Sequence, residues 1–304
     1  MKLSHIKYVL AVAEGASLRS AARQLGVAQS AVTRGIQELE RELGVSLFER
    51  GTRGVTPTEI GATFIRRATA AHAEIVRAQE EVGQLRGIKH GHVVVALAPS
   101  MHVVHLPSVL RPFRTRYPNV HLEIIDTGFP SIESRVRQGT VDCYIGPEPE
   151  LLAEGMIADR LFKNRRVIVG RKGHPLSHAR SLRELVNAEW IQNSITSDAQ
   201  YELSPLFAQH GLPPPKLVMQ AHSALTSVIA LVNSDLLTTM SQQFWEFGPY
   251  DKKIQAIEVR EILGESSISI VVRSGLPLTP AAEYFCDLIR RSVGHAGKSQ
   301  TLKR

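Results

Sequence analysis

Four polar side chains carry the sharpest chemistry in this sequence: Gln29, Ser30, Thr33 and Arg34. At helical spacing they share one face with Gln37, while Val32, Ile36, Leu39 and Leu43 fall on the other. Amide, hydroxyl and guanidinium groups of that reach match the donors and acceptors that base pairs expose in the DNA major groove. Farther on, Arg50 and Arg53 stand beside Gly51 and Gly54, at the tip of a short strand–turn–strand pattern. Two guanidinium groups there would reach phosphate or the minor groove.

Such a face needs elements to aim it. Residues 17–25 predict a helix with Leu18, Ala21, Ala22 and Leu25 on one side and Ser17 as its N-cap. Gly26 suits the left-handed residue that follows a helix end, and residues 29–43 form the next helix. Two small alanines and a three-residue turn let the helices cross closely and steeply, which is the helix-turn-helix unit. Residues 44–58 then read as a wing. Taken singly, Arg34 reads equally as a solvated surface arginine and residues 50–54 as an ordinary hairpin turn. The joint pattern is far more specific than its parts.

Residues 58–86 hold no proline and predict one helix. Gly61, Ile65, Ala68, His72, Ile75, Gln79 and Val82 repeat alternately four and three residues apart, a heptad seam weakened by His72 and Gln79. A helix buried inside a single domain is the other reading of that stretch.

From His92 the rhythm changes to alternating strands and helices. Strands are expected at 92–98, 120–126, 141–146, 167–170, 190–192, 217–221, 236–240 and 268–272. Helices are expected at 106–116, 132–138, 182–187, 205–210, 225–233 and 281–291. This alternation predicts parallel sheets with ligands beyond the carboxyl ends of the strands. Those ends carry Ser100, Met101 and His102, then Phe129, Ser194, Ser223 and Thr239, with further hydroxyls at Thr238 and Ser241. Helix capping explains any single hydroxyl. The set points to a pocket that hydrogen-bonds a carboxylate, sulfonate or similar group, with Met101 and Phe129 against its apolar part.

The chain has 304 residues and a net charge of +7. The excess sits at the ends: residues 1–89 hold 13 basic against 9 acidic groups, and residues 288–304 hold five basic groups and no acid. Basic ends support polyanion binding only weakly, since basic tails are commonly solvating. The two cysteines, Cys143 and Cys286, lie in apolar runs and read as buried thiols. No apolar run approaches the ~20 residues of a membrane helix, and the N-terminal apolar residues recur at helical spacing, unlike a signal core. A cytoplasmic protein without membrane contact is expected.

The stretch from Ala13 to Gly61, AEGASLRSAARQLGVAQSAVTRGIQELERELGVSLFERGTRGVTPTEIG, resembles the DNA-binding region of LysR-type transcriptional regulators. The family pattern opens the recognition helix with serine or threonine, then Gln-Pro and Ser-Arg; this chain has Ala28, Gln29-Ser30 and Thr33-Arg34. Loss of a hydroxyl cap at Ala28 costs ~1 kcal/mol, and Ser30 is expected to cap one residue later. The resemblance implies base readout by Gln29, Ser30, Thr33 and Arg34 and backbone contact by Arg50 and Arg53. It implies an α/β fold with an N-terminal α part: a winged helix-turn-helix, a long linker helix, and two Rossmann-like subdomains of the periplasmic-binding-protein type. The expected boundaries are 1–58 for the DNA-binding domain and 59–88 for the dimerising linker. Residues 89–304 form the effector-binding domain, with subdomain I at about 89–162 and 267–294 and subdomain II at about 163–266. Segments such as SDLLTTM and LPLTPAAEYF resemble the branch that senses small aromatic or organic acids.

The function implied is a ligand-responsive transcription regulator with no cofactor beyond a small organic effector. Its expected partners are double-stranded promoter DNA, further copies of itself as a homodimer or homotetramer, and RNA polymerase. An enzyme is disfavoured by the absence of a glycine-rich phosphate loop, a Gly-x-Ser-x-Gly elbow or a His-Glu-x-x-His helix. His102 and His105 lack a third ligand at metal-binding spacing, so no metal is expected. An effector-independent architectural DNA binder leaves the two-subdomain half unexplained, and a plain solute-binding protein leaves the helix-turn-helix unexplained.

Overall fold

The computed structural model describes residues 1–51, 54–88, 90–193, 199–247, 250 and 252–301. It divides into two compact units, the first built chiefly of residues 1–82 and the second of the rest.

In the first unit α1 (Leu3–Gly15), α2 (Leu18–Leu25) and α3 (Gln29–Leu43) enclose a core of Val9, Val12, Ala21, Val32, Leu39 and Leu47. The Ser17 hydroxyl caps α2 by accepting from the Ser20 N–H at 3.1 Å. Gly26 ends that helix at φ 65°, with the Val27 N–H returning to the Ala22 carbonyl at 3.0 Å. The expected inner face of α3 holds except at its last residue: Leu43 is 39% exposed. The strands β1 (Phe48–Gly51) and β2 (Gly54–Pro57) pair antiparallel as the wing. Next, the Thr58 hydroxyl accepts from the Gly61 N–H at 2.9 Å and so caps the 27-residue α4 (Glu59–Leu85).

The second unit opens with β3 (His90–Leu97), α5 (Pro99–Val104), α6 (Leu106–Arg116), β4 (Asn119–Asp126), α7 (Phe129–Gln138) and β5 (Cys143–Pro147). Strand β3 lies between β4 and β5, parallel to both. The apolar runs of β3 and β5 are buried because helices cover both faces. Val93, Val95 and Leu97 pack with Phe113 and Phe285 on one side, and Ala96 and Tyr144 with Phe129 and Ile132 on the other.

The long β6 (Met156–Arg171) then carries the chain into a second lobe. A 3-10 turn (Leu182–Leu185), β7 (Glu189–Asn193), α8 (Ala199–Gln209), β8 (Lys216–Ala221), α9 (Ala224–Val232), β9 (Leu236–Ser241) and α10 (Gln242–Phe247) build that lobe. Trp190, Leu182 and Phe207 pack on one face of it, Ile191 and Leu231 on the other. The chain returns along β6 on β10 (Ile254–Ile257) and β11 (Glu265–Arg273), then closes with α11 (Pro280–Thr301).

The expectation of parallel pairing therefore holds at β4-β3-β5 and β9-β7-β8, and fails wherever β6, β10 or β11 takes part. Outward and return passes run in opposite directions, so β10 and β11 must pair antiparallel with β6. Strand β6 is also far longer than the four residues expected at 167–170, and α1, α10 and β10 were not separately foreseen.

Candidate functional site

The unit of α2 and α3 presents its polar face outward. Gln29, Ser30, Arg34 and Gln37 are exposed and Thr33 half-exposed, while Val32, Gly35 and Ile36 are buried. The Thr33 hydroxyl donates to the Gln29 carbonyl at 3.1 Å, which leaves its oxygen able to accept from a donor on a base edge. Ala28 is the N-cap, and both the Ala31 and Val32 N–H groups return to its carbonyl. Ser30 is thus a residue of the first helical turn, and the cap expected of it does not form. With no side chain capping that end, the first-turn N–H groups of α3 point out beside Gln29 and Ser30, an arrangement that favours a phosphate oxygen.

Two contacts fix the angle of this face. Gly35 of α3 takes the Tyr8 ring of α1 where a β-carbon would stand. Below it, the Glu40 carboxylate accepts from the N–H groups of Leu47 and Phe48 at 2.7 and 3.3 Å, tying the wing to the recognition helix. Arg50 lies in β1, but its side chain, like the whole of Arg53, lies outside the described residues.

The α4 helix buries only Gly61 and Ala68 among its described residues. Gly61 does not belong to a helical seam, because it packs on the Leu47 carbonyl within the DNA-binding unit. Ile75, Val76, Val82 and Leu85 are exposed, an apolar stripe along the second half of the helix.

In the second unit a cavity of about 120 Å³ opens at the carboxyl ends of the strands. Its apolar walls include Ile191, Leu203, Val228, Met240 and Phe244, and its polar groups include Ser100, Asn164, Arg166, Gln192, Thr239 and Ser241. Arg166 is the one charged residue among the described lining, and withdrawal from water pulls its pKa down to about 10, so the guanidinium stays charged at neutral pH. Asn164 and Arg166 project from the same side of β6, two residues apart.

Of the expected pocket residues, Ser100 and Thr239 line the cavity, as do the further hydroxyls Thr238 and Ser241. Met101 does not: it is fully buried in the apolar core with Val109 and Phe113. The His102 ring is held at 3.2 Å from the Leu97 carbonyl and 3.5 Å from Asp126. Phe129 packs edge-on against Tyr144 at 5.4 Å between ring centres, beneath the sheet. Ser223 is the N-cap residue of α9, where its carbonyl accepts from Ser227, and it is Ser227 that reaches the cavity. Ser194 lies outside the described residues. Asn164, Arg166 and Gln192 were missed; the available signal was the polar pair at 164 and 166, spaced by two as on one face of a strand. Cys143 and Cys286 are buried with their sulfurs 3.7 Å apart, both as free thiols.

Comparison with known proteins agrees with this geometry. Residues 3–62 match the bacterial regulatory helix-turn-helix protein family of lysR type, and residues 86–294 match the LysR substrate binding domain. The HTH-type transcriptional regulator GbpR of Azospirillum brasilense is 29% identical over 248 residues, covering 80% of this chain and 72% of its own. BenM of Acinetobacter baylyi is 26% identical over 256 residues, covering 81% and 83%. Among solved structures, full-length CbnR in complex with its target DNA has a TM-score of 0.66 at 21% identity, covering 96% of this chain and all of that one. Full-length OxyR of Pseudomonas aeruginosa, as a cysteine-to-aspartate variant, has 0.68 at 16% identity, covering 96% and 94%; both are likenesses of fold. With its helix-turn-helix and its substrate-binding domain each matched in place, the chain belongs to the LysR family of DNA-binding transcription regulators.

Proposed function

We propose that this regulator binds a two-fold related promoter site through Gln29, Ser30, Thr33 and Arg34, and answers to a small organic anion held in the cavity of its second unit. Residues 1–58 serve as the DNA-binding domain, 59–88 as the linker and 89–304 as the effector domain. The observation that carries the effector reading is Arg166: a charged guanidinium withdrawn from water among Ile191, Leu203, Val228 and Phe244. A carboxylate with an apolar body of about one ring complements both features; an apolar cavity of about 150 Å³ is known to hold benzene. The ligand acts through its different affinity for two arrangements of the oligomer on DNA.

Self-association is supported by the exposed Ile75, Val76, Val82 and Leu85 on α4, and by Leu217, Val218, Leu225 and Ile229 along β8 and α9. A dimer or tetramer gives the recognition helix the second copy that two half-sites need. The protein works in the cytoplasm, where promoter DNA and polymerase are; among the described residues no helix is long and apolar enough to cross a membrane.

Calorimetry of the full chain with benzoate and phenylacetate tests the effector reading. Saturable binding that Arg166→Met weakens by more than about tenfold supports a charge-assisted contact. Binding indifferent to Arg166→Met removes it.

A further inference from the structure

The geometry points to an effector that carries a hydroxyl group as well as its acid, read by Asn164 and Ser241; the inference rests on the cavity being the effector site. Asn164 is 6% exposed and lines the cavity from β6. Its amide Nδ2 donates to the Ser241 Oγ at 2.8 Å, and its Oδ1 has no hydrogen-bond partner among the described residues. Native structures pair such atoms almost without exception, so a buried orphan acceptor on a residue that lines a cavity needs an explanation. Ser241 supplies the complement. Its Oγ accepts from Asn164 and, at 3.4 Å, from the Phe244 N–H, which leaves its own proton free to donate.

One unused acceptor and one unused donor thus belong to two hydrogen-bonded residues of the cavity lining. A ligand hydroxyl fits both at once, donating to the Asn164 Oδ1 and accepting from the Ser241 O–H. With the amide in this orientation a bare carboxylate cannot, because it has no proton to give the Asn164 oxygen. Strand pairing sets Ser241 opposite Arg166, so the hydroxyl-reading pair and the guanidinium lie in the same small chamber. A one-ring hydroxy acid is of a size and polarity to touch all three.

A site whose buried polar groups expect a hydroxyl rejects the analogue that lacks it far more strongly than an apolar pocket rejects an added one. The test is calorimetry of the full chain with matched acids: benzoate against its three monohydroxy isomers, and phenylacetate against mandelate. At least one hydroxy acid is expected to bind about 100-fold more tightly than its parent. In Asn164→Leu the same pair should draw to within about tenfold, with the parent acid's affinity held or raised. The wild-type comparison stands even if that variant folds poorly. If the parents bind as well as every hydroxy partner, the hydroxyl inference is overturned and the carboxylate pocket survives. If no acid of either kind binds, the pocket reading falls and this inference with it.

Discussion

The Glu40 carboxylate, on the last turns of the recognition helix, accepts the Leu47 N–H at 2.7 Å and so holds the first residue of the wing's core. The same oxygen takes the Phe48 N–H at 3.3 Å. Hydrogen bonds to a charged acceptor contribute ~1.5–3 kcal/mol, and truncating the carboxylate takes that acceptor from both donors at once. Glu40→Ala should therefore lower unfolding free energy in urea by about 2 kcal/mol and weaken DNA binding through a loosened wing. A loss below ~0.5 kcal/mol would show that the tether is dispensable.

Gly61 makes a sharper demand. A β-carbon there would overlap the carbonyl of Leu47, a backbone atom that cannot swing aside. Gly61→Ala should cost ~1–3 kcal/mol as overpacking, despite alanine's better helix propensity. Gly83, in the same helix with open space around it, is the control. Gly83→Ala should be neutral or stabilise by up to about 1 kcal/mol. Equal responses at the two sites would contradict the packing account.

The sequence made α2, α3 and the turn between them legible, because their signals are local: Ser17 caps, Gly26 and Gly44 turn left-handed, and Val32, Ile36 and Leu39 repeat at helical spacing. The cavity was half legible. Ser100 and Thr239 follow strands whose ends the alternation located, whereas Met101 and Phe129 were assigned to the ligand although the sheet needs them as core. Asn164 and Arg166 stayed hidden because β6 is exposed along much of its first half and lacks the apolar run that marks a strand. Its strand character comes from β11 and β9 on either side, which is tertiary information.

His105 gives the fold a pH dependence of known sign. It is buried, its Nδ1 lies 2.7 Å from the Ser292 hydroxyl, and burial pulls its pKa down from 6.5 to about 4. Because the unfolded chain binds this proton more readily, stability rises with pH between about 4 and 6.5 and is fully present above 6.5. The contribution lost by about pH 4 is ~3 kcal/mol at most. Glu148, held down to about 2 by Arg160 and Ser269, loses its contribution only below the ordinary carboxylate range. Urea titrations at about pH 7 and about pH 5 should thus show a fall in wild type that His105→Asn flattens. An unchanged slope in the variant would assign the acid sensitivity elsewhere.

The most direct test of the whole account is the sequence preference of the recognition helix. Duplexes enriched from a random library by the full chain, and the same duplexes scrambled, can be compared by fluorescence anisotropy at one fixed salt concentration. The account predicts a preference of about 10³-fold or more for the enriched sequence in wild type. Gln29→Ala and Arg34→Ala should each give up ~1–3 kcal/mol of it while keeping non-specific affinity. A wild-type protein with no preference, or variants that keep it intact, would contradict the reading of this face as the one that grips DNA.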